Sequence, residues 1–277
     1  MNISINWIND YVDLSGIEPD EIVKRFNLST AEIEGVEYKG KNIQNVVFGK
    51  VLKVEDHPNS DHLHILSVDV GTEVLQIVCG APNVREGMVT AVCMVGGSVI
   101  AGKIKPTKLA GVESNGMCCA EAELGIGSDD DGIMDILEPV TIGQNIKEVW
   151  PVDDVVFEID NKSITNRPDL WGHYGLAREF SAIFDRPLKA MPMEDLSKYD
   201  NLPEISVNIE TENCYRYSAL TVKNVMAKKS PREMAIRLNY AGMRDINLLA
   251  DLTNYVMLDL GLPMHAFDNK LVDGINV

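Results

Sequence analysis

Apolar and polar positions change rhythm several times along the chain, and each change predicts a different element. Ile3 and Ile5 alternate, and Trp7 and Tyr11 follow at helical spacing, so a short strand runs into a helix within residues 2–13. Pro19 with Asp20 and Glu21 marks a helix start, proline at the first position and acids on the positive dipole end, and Ile22 and Phe26 continue it at i, i+4 spacing. AEIEGVEY then alternates as a half-exposed strand. From Val46 the texture turns β-rich: VVFGKVLKVEDH, HILSVDVG, EVLQIVCG and VTAVCMVGG are separated by Gly or Pro-Asn punctuation, and a fifth apolar segment, SNGMCCAEA, follows Gly111. Four or five such strands predict a closed barrel, since an open sheet of this size leaves edges exposed. Residues 128–151 read as an acidic connection around GIMDIL.

The rhythm changes again at VVFEID, a strand. NKSITNRPDLWGHYGLAREFSAIFDRP follows it, with Leu176, Phe180 and Ile183 on one helical face and Pro187 closing the segment. A linker with Pro192 and Pro203 leads to a third region. There ISVNIE and YSALTVKNV read as strands, and Ser230-Pro231 as a cap-plus-first-position helix start with Glu233 in the first turn. NLLADLTNYVMLDLG is a second helix ended by Gly261 and Pro263, and KLVDGINV reads as a strand or turn. No repeat or low-complexity tract occurs.

A length of 277 residues suits two domains and allows three. The net charge of −17 gives no support to a uniformly basic nucleic-acid surface, although the acid is uneven, with runs at Asp129–Asp131 and Asp153–Asp154. No apolar run is long enough to span a bilayer, and MNISINWINDYVDL lacks the basic and apolar blocks of a secretory signal. Five cysteines, without a C-x-x-C pair, suggest reduced core thiols in a cytoplasmic protein.

Four groups are candidates for chemistry. His57, His62 and His64, with Asp56 and Asp61, carry zinc-type donor atoms, but their spacing fits zinc poorly, and a Pro58-Asn59 turn flanked by histidines is the favoured reading. Lys103 and Lys105 project from one face if residues 102–106 are extended, and with Lys108, Lys50, Lys53 and Arg85 they line either a phosphate-facing groove or, as charge alone favours, a solvated sheet face. In Asn166-Arg167-Pro168-Asp169, Asp169 would cap the next helix and Arg167 pair with a carboxylate. Thr253 and Asn254 are polar within an apolar helical run, and His265 follows the helix-ending Gly-x-Pro in a loop. A G-x-S-x-G, a Gly-rich phosphate loop and a metal-ligand motif are all lacking.

HPNSDHLHILSVDVG, VCGAPNV and KLAGVESNGMCCAEAELG resemble the tRNA-binding domain of the β subunit of bacterial phenylalanyl-tRNA synthetases. ITNRPDLWGHYGLAREFSAI is similar to the segment that follows that domain, and DLTNYVMLDLGLPMHAFD to the start of the editing domain. The resemblance implies an α+β multidomain fold. A small α/β domain (1–39 plus 152–195) would carry an inserted five-stranded OB-fold β-barrel (40–151), followed by the start of an α/β editing domain of B3/B4 type (200–277). It places AEIEGVEY beside VVFEID.

The family's activity is ATP-dependent ligation of phenylalanine to tRNA(Phe), giving Phe-tRNA(Phe), AMP and pyrophosphate, by a cytoplasmic α2β2 heterotetramer. The resemblance therefore implies an α subunit and tRNA(Phe) as partners, with ATP and Mg2+ used by the complete enzyme and neither bound here. It covers the first part of a longer protein, so a truncated chain, inactive alone in aminoacylation, is expected. The family also hydrolyses Tyr-tRNA(Phe), because a phenylalanine pocket rejects an added hydroxyl poorly. By matching motifs, Thr253, Asn254, Pro263 and His265 would line that editing site, with His265 orienting a water or the terminal ribose hydroxyl. The family's pocket also uses residues after position 277, so no deacylation by this chain alone is expected. The competing readings are a tRNA-binding module without a catalytic partner and a free-standing editing hydrolase.

Overall fold

The structure, a computed structural model, describes residues 1–191, 193–201, 205–272 and 274–277. The linker prolines Pro192 and Pro203 lie outside the described residues. The chain opens with β1 (Asn2–Ser4), α1 (Ile5–Asn9), α2 (Pro19–Ser29) and β2 (Ile33–Lys39). Then come β3 (Gln44–Asp56), β4 (His64–Asp69), β5 (Val74–Cys79), β6 (Val89–Val99), β7 (Gly102–Lys103), β8 (Thr107–Leu109), β9 (Val112–Ser114), β10 (Gly116–Cys118) and α3 (Glu121–Leu124). β11 (Asp154–Ile159) and α4 (His173–Phe184) follow, and β12 (Val207–Asn208), α5 (Arg232–Tyr240), α6 (Leu248–Leu260) and β13 (Ile275–Asn276) complete it.

The stretch from β1 to β2 and the stretch of β11 and α4 make one body. β11 enters between β1 and β2, antiparallel to both, with Phe157 opposite Ile3 and Val36. Ile3, Ile22, Phe26, Phe157, Leu176 and Phe180 are buried together beneath α2 and α4. Pro19 stands at the start of α2, where its missing N–H costs nothing. α4 stops at Phe184 with Asp185 in the left-handed region, two residues before Pro187, and Ile183 is only half-buried.

The stretch between makes its own sheet, ordered β10-β6-β3-β4-β5, with β7 paired to β6. β3 is thirteen residues long and carries register shifts at Gln44/Val46 and Val51/Lys53, bulges that bend it so that it pairs with β6 and β4. Gly49 sits at the bend, where a Cβ would lie 2.5 Å from Val92 Cγ2. Among the described residues no strand ladder joins the edge strands β5 and β10, so pairing does not close the sheet. Three hydrogen bonds instead tie β5 to β9 and the link before β10: Asn115 N to Gln76 O (2.8 Å), Val78 N to Ser114 Oγ (3.0 Å) and Gln76 Nε2 to Glu113 O (2.7 Å). GIMDIL forms no strand, yet Ile133, Met134 and Ile136 are buried against the sheet.

The third region departs most from its sequence pattern. ISVNIE yields only the two-residue β12, which pairs in parallel with β13. YSALTVKNV forms no strand, and Leu220 and Val222 are exposed. Its β-type side chains find no neighbouring strand among the described residues, and a strand without a partner has no ladder to hold it. α5 starts one residue later than the pattern predicts, with Pro231 as its cap position, because Ser230 Oγ donates to Asp251 instead. α5 is nonetheless well seated. Ile236 and Tyr240, one turn apart, enter the core that Phe48 and Trp150 share with Val156, while Leu238 on the other side meets Trp7 and Leu258.

Candidate functional site

The inserted sheet offers the first set of functional side chains. A cleft of about 620 Å3 opens where the end of β5, the segment 103–109 and residues 130–133 meet. Lys103 and Lys105 both line it, and neither forms an ion pair among the described residues. β7 ends at Lys103, Ile104 still exchanges backbone bonds of 2.9 Å with Gly96 and Gly97, and both lysines reach the same cleft. Glu123, Asp130 and Asp131 line it too, which leaves its charge mixed.

The remaining basic residues are dispersed. Lys53 pairs with Glu55 (2.9 Å), Lys108 with Glu113 (3.4 Å), and Arg85 places two bonds of 2.9 Å on Asp135. Lys50 is exposed and does not line the cleft. The six do not form one continuous groove: carboxylates close to three of them neutralise the charge a phosphate would need.

The histidine cluster is a brace at this edge. His57 is buried; its Nδ1 accepts from Asn59 N (3.1 Å) and its Nε2 lies 3.1 Å from Leu109 O. Asn59 Nδ2 donates to Ala110 O (3.0 Å). The 57–60 turn thus holds the β8–β9 hairpin, with both His57 ring nitrogens engaged by protein. His62 is exposed beside Asp61, and their hydrogen bond holds that carboxyl below its usual range. Cys79 and Cys118 back the cleft as buried thiols, and burial pushes both upward.

Thr253 and Asn254 stand in the middle of α6, half-buried. Asn247 caps the helix through Ala250 N (3.1 Å), and Gly261, at φ 73°, ends it in the left-handed conformation that suits glycine. Thr253 Oγ1 donates back to Ala250 O (2.7 Å), satisfying its hydroxyl within the helix. Pro263 and His265 lie in the exposed segment after Gly261, where the His265 ring is 6.2 Å from that of Phe267. Among the described residues no hydrogen bond joins these four, and they divide into a helix pair and a loop pair.

One cluster escapes sequence reasoning. Trp7, 1% exposed, is stacked between His173 (4.0 Å, 16°) and Tyr255 (4.2 Å, 23°). Its Nε1 donates to Asp259 Oδ1 (2.9 Å), and Tyr11 OH donates to the same carboxylate at 2.7–2.8 Å. Burial raises the Asp259 carboxyl, although these two bonds work against the rise. His173 Nδ1 lies 2.8 Å from Leu258 O, while its Nε2 accepts from Ser4 N (3.2 Å). Arg237 bridges Tyr255 OH (2.8 Å) and Asp10 (2.6 Å). The sequence signal was thin: an aromatic in α1, a histidine in WGHYG and a tyrosine beside Thr253-Asn254, in separate regions. The Asn166–Asp169 turn also differs in part from its reading. Arg167 binds Asp169 and Glu179, as a pairing arginine should, but Asp169 lies within a 3₁₀ turn, and Gly172 occupies the cap position of α4.

Comparison with known proteins covers these regions in order. Residues 46–145 match the family described as "Putative tRNA binding domain", and residues 213–277 match the "B3/4 domain" family. The "Phenylalanine--tRNA ligase beta subunit" of Desulfotalea psychrophila is 40% identical over 277 residues, covering 99% of this chain and 34% of that protein. The protein of the same name from Clostridium acetobutylicum is 41% identical, covering 98% of this chain and 35% of its own length. Among solved structures, a MetRS related protein from Pyrococcus horikoshii has 29% identity over 36% of this chain and 86% of its own, with a TM-score of 0.27. The chain spans about a third of the length of the curated relatives it matches. Along essentially its whole length, this chain is homologous to phenylalanine--tRNA ligase beta subunits.

Proposed function

We propose that this chain acts as part of the β subunit of a cytoplasmic phenylalanine--tRNA ligase, joining an α subunit in an α2β2 enzyme that makes Phe-tRNA(Phe), AMP and pyrophosphate from phenylalanine, ATP and tRNA(Phe). The observation that carries the reading is the similarity over 98–99% of the chain to subunits bearing that name, with the two domain families in sequence along it. The division is a small α/β domain at 1–39 plus 152–195, an inserted domain at 40–151, and an editing-type region at 200–277. The inserted domain is an OB-type five-stranded barrel of the partly open kind, a reading supported by the hydrogen bonds that tie β5 to β9 and Asn115, just before β10. Among the described residues no helix is long and apolar enough to cross a membrane.

ATP and Mg2+ serve the complete enzyme. The sequence has no phosphate-cradling glycine loop, and no three His, Cys, Asp or Glu among the described residues are arranged as metal ligands. Its contribution to the complete enzyme is tRNA binding and part of the site that removes tyrosine from tRNA(Phe). Lys103 and Lys105 contact phosphate at the cleft, with Lys50 as an outlying contact. Thr253, Asn254, Pro263 and His265 line the pocket for the mischarged end, where His265, exposed and without a protein hydrogen bond among the described residues, orients a water or the ribose hydroxyl.

Titration with tRNA(Phe) at two salt concentrations tests the binding half. Eight Lys and Arg stand against fifteen Asp and Glu between residues 40 and 151, so binding should be weak with a shallow salt slope. Lys103→Ala should lower that slope by about one. Deacylation of Tyr-tRNA(Phe) by the complete α2β2 enzyme tests the other half: His265→Ala should slow it while leaving phenylalanine ligation intact. An unchanged deacylation rate would refute the editing assignment.

A further inference from the structure

The helix that carries Thr253 and Asn254 is fixed to the first region by other residues of α6. Tyr255, Leu258 and Asp259 supply the contacts to Trp7 and His173. Helical periodicity places Thr253 about 160° around the axis from Tyr255. Whatever sets the rotation of the docked side therefore sets where Thr253 points.

Three observations converge on one side chain. Trp7 lies flat between an imidazole of α4 and a phenol of α6, so it fixes the spacing of the two helices. Its indole N–H reaches Asp259, one turn beyond Tyr255, so it holds α6 at two points along the axis. The Arg237 guanidinium sits 5.7 Å over the indole while bonded to Tyr255 OH, tying α5 to the same stack. The backbones leave no slack beside it, since a Cβ at Gly172 would overlap Gly261 N at the end of α6.

We infer that Trp7 is a positioning residue for α6: stacked between His173 and Tyr255 and bonded to Asp259, it sets the rotation and axial placement of the helix that carries Thr253 and Asn254. The functional consequence rests on the editing assignment above; the mechanical claim does not. Among the described residues no hydrogen bond or ring stack joins Trp7 to Thr253 or Asn254, so its effect on them is carried by α6.

Amide hydrogen exchange on the whole 277-residue chain tests it. Trp7→Leu keeps an apolar side chain but loses the stack and the donor. It should lower protection of residues 248–260 by roughly tenfold or more while leaving β3–β6 within about threefold of the parent. Trp7→Phe, which keeps an aromatic plate, should restore most of that protection. Unchanged protection of 248–260 in Trp7→Leu, or equal loss in α6 and β3–β6, would overturn the inference. If Trp7→Leu does not fold, Tyr255→Leu removes the stack from the other side and is read by the same two criteria. In the complete enzyme, Trp7→Leu should lower kcat for Tyr-tRNA(Phe) deacylation with KM for tRNA unchanged, and Trp7→Phe should recover it. A failed His265→Ala test would remove the editing assignment and leave the exchange result to decide the role of Trp7.

Discussion

The inserted sheet and the stretch from residue 193 onward are both rich in apolar side chains, but they use them differently. In the sheet, Phe48, Val51, Leu66, Val68 and Ile77 are fully buried, because five strands pair in one ladder and α5 lends Ile236 to the shared core. Among the described residues, seventeen of the twenty-eight exposed large hydrophobic side chains lie between Met193 and Leu271, where the only strand pairing is the two-residue contact of β12 with β13. Apolar content supplies the drive to bury surface; a partner surface decides whether burial happens. The two helices in that stretch succeed because Trp7, Asp10 and Val152 O give them one.

Large-to-small substitutions should break this contrast most sharply. Phe48 is fully buried and meets Trp150 edge-on at 4.9 Å, so Phe48→Ala should cost about 3–5 kcal/mol in urea unfolding followed by near-UV signal. Retained stability would mean that the inserted core is looser than its packing implies.

Acid should act next, at the docked helices. Burial pushes the His173 imidazole down to about 4 from 6.5, despite its bond to the Leu258 carbonyl. The unfolded chain then takes up the proton first as pH falls. The stability held by neutral His173 is complete above about pH 6.5 and lost on the way to pH 4, on the order of 3 kcal/mol. Asp154 and Asp259, raised by burial, work in the opposite sense, since the folded state takes up their protons first. Urea midpoints between pH 7 and 4.5 should therefore fall, less steeply in His173→Gln. An identical fall in that variant would remove His173 as the cause.

The smallest effect belongs to the exposed stretch. Leu220 is 67% exposed, so Leu220→Ser should change stability by no more than about 0.5 kcal/mol in the same urea assay. A loss comparable to that of Phe48→Ala would show that the stretch packs against something in solution and would erase the contrast.

Much of the local structure was legible in advance because its causes are local. Pro19 starts α2, Gly261 stops α6, and the turn-punctuated runs after Val46 become β3–β6. Arg167 was legible as a pairing residue, since a guanidinium among carboxylates needs little more than reach. YSALTVKNV misled for the converse reason: β propensity describes a side chain that fits a sheet, and no neighbouring strand is present among the described residues to make one. The candidate site was legible as residue types and family resemblance, while its geometry was not.

The sequence by itself determined where α2 starts, where α6 stops and which turn-punctuated runs become β3–β6, and which regions carry basic, histidine and polar-helical candidates, because those depend on neighbours within a turn or two. Tertiary structure alone decided that Lys53, Arg85 and Lys108 face carboxylates while Lys103 and Lys105 share a cleft, and that His57 braces a hairpin. It alone decided that Trp7 lies against Tyr255, 248 positions away. Ion pairing, stacking and burial depend on distances of a few ångströms between side chains, and those distances are set only when separate elements dock.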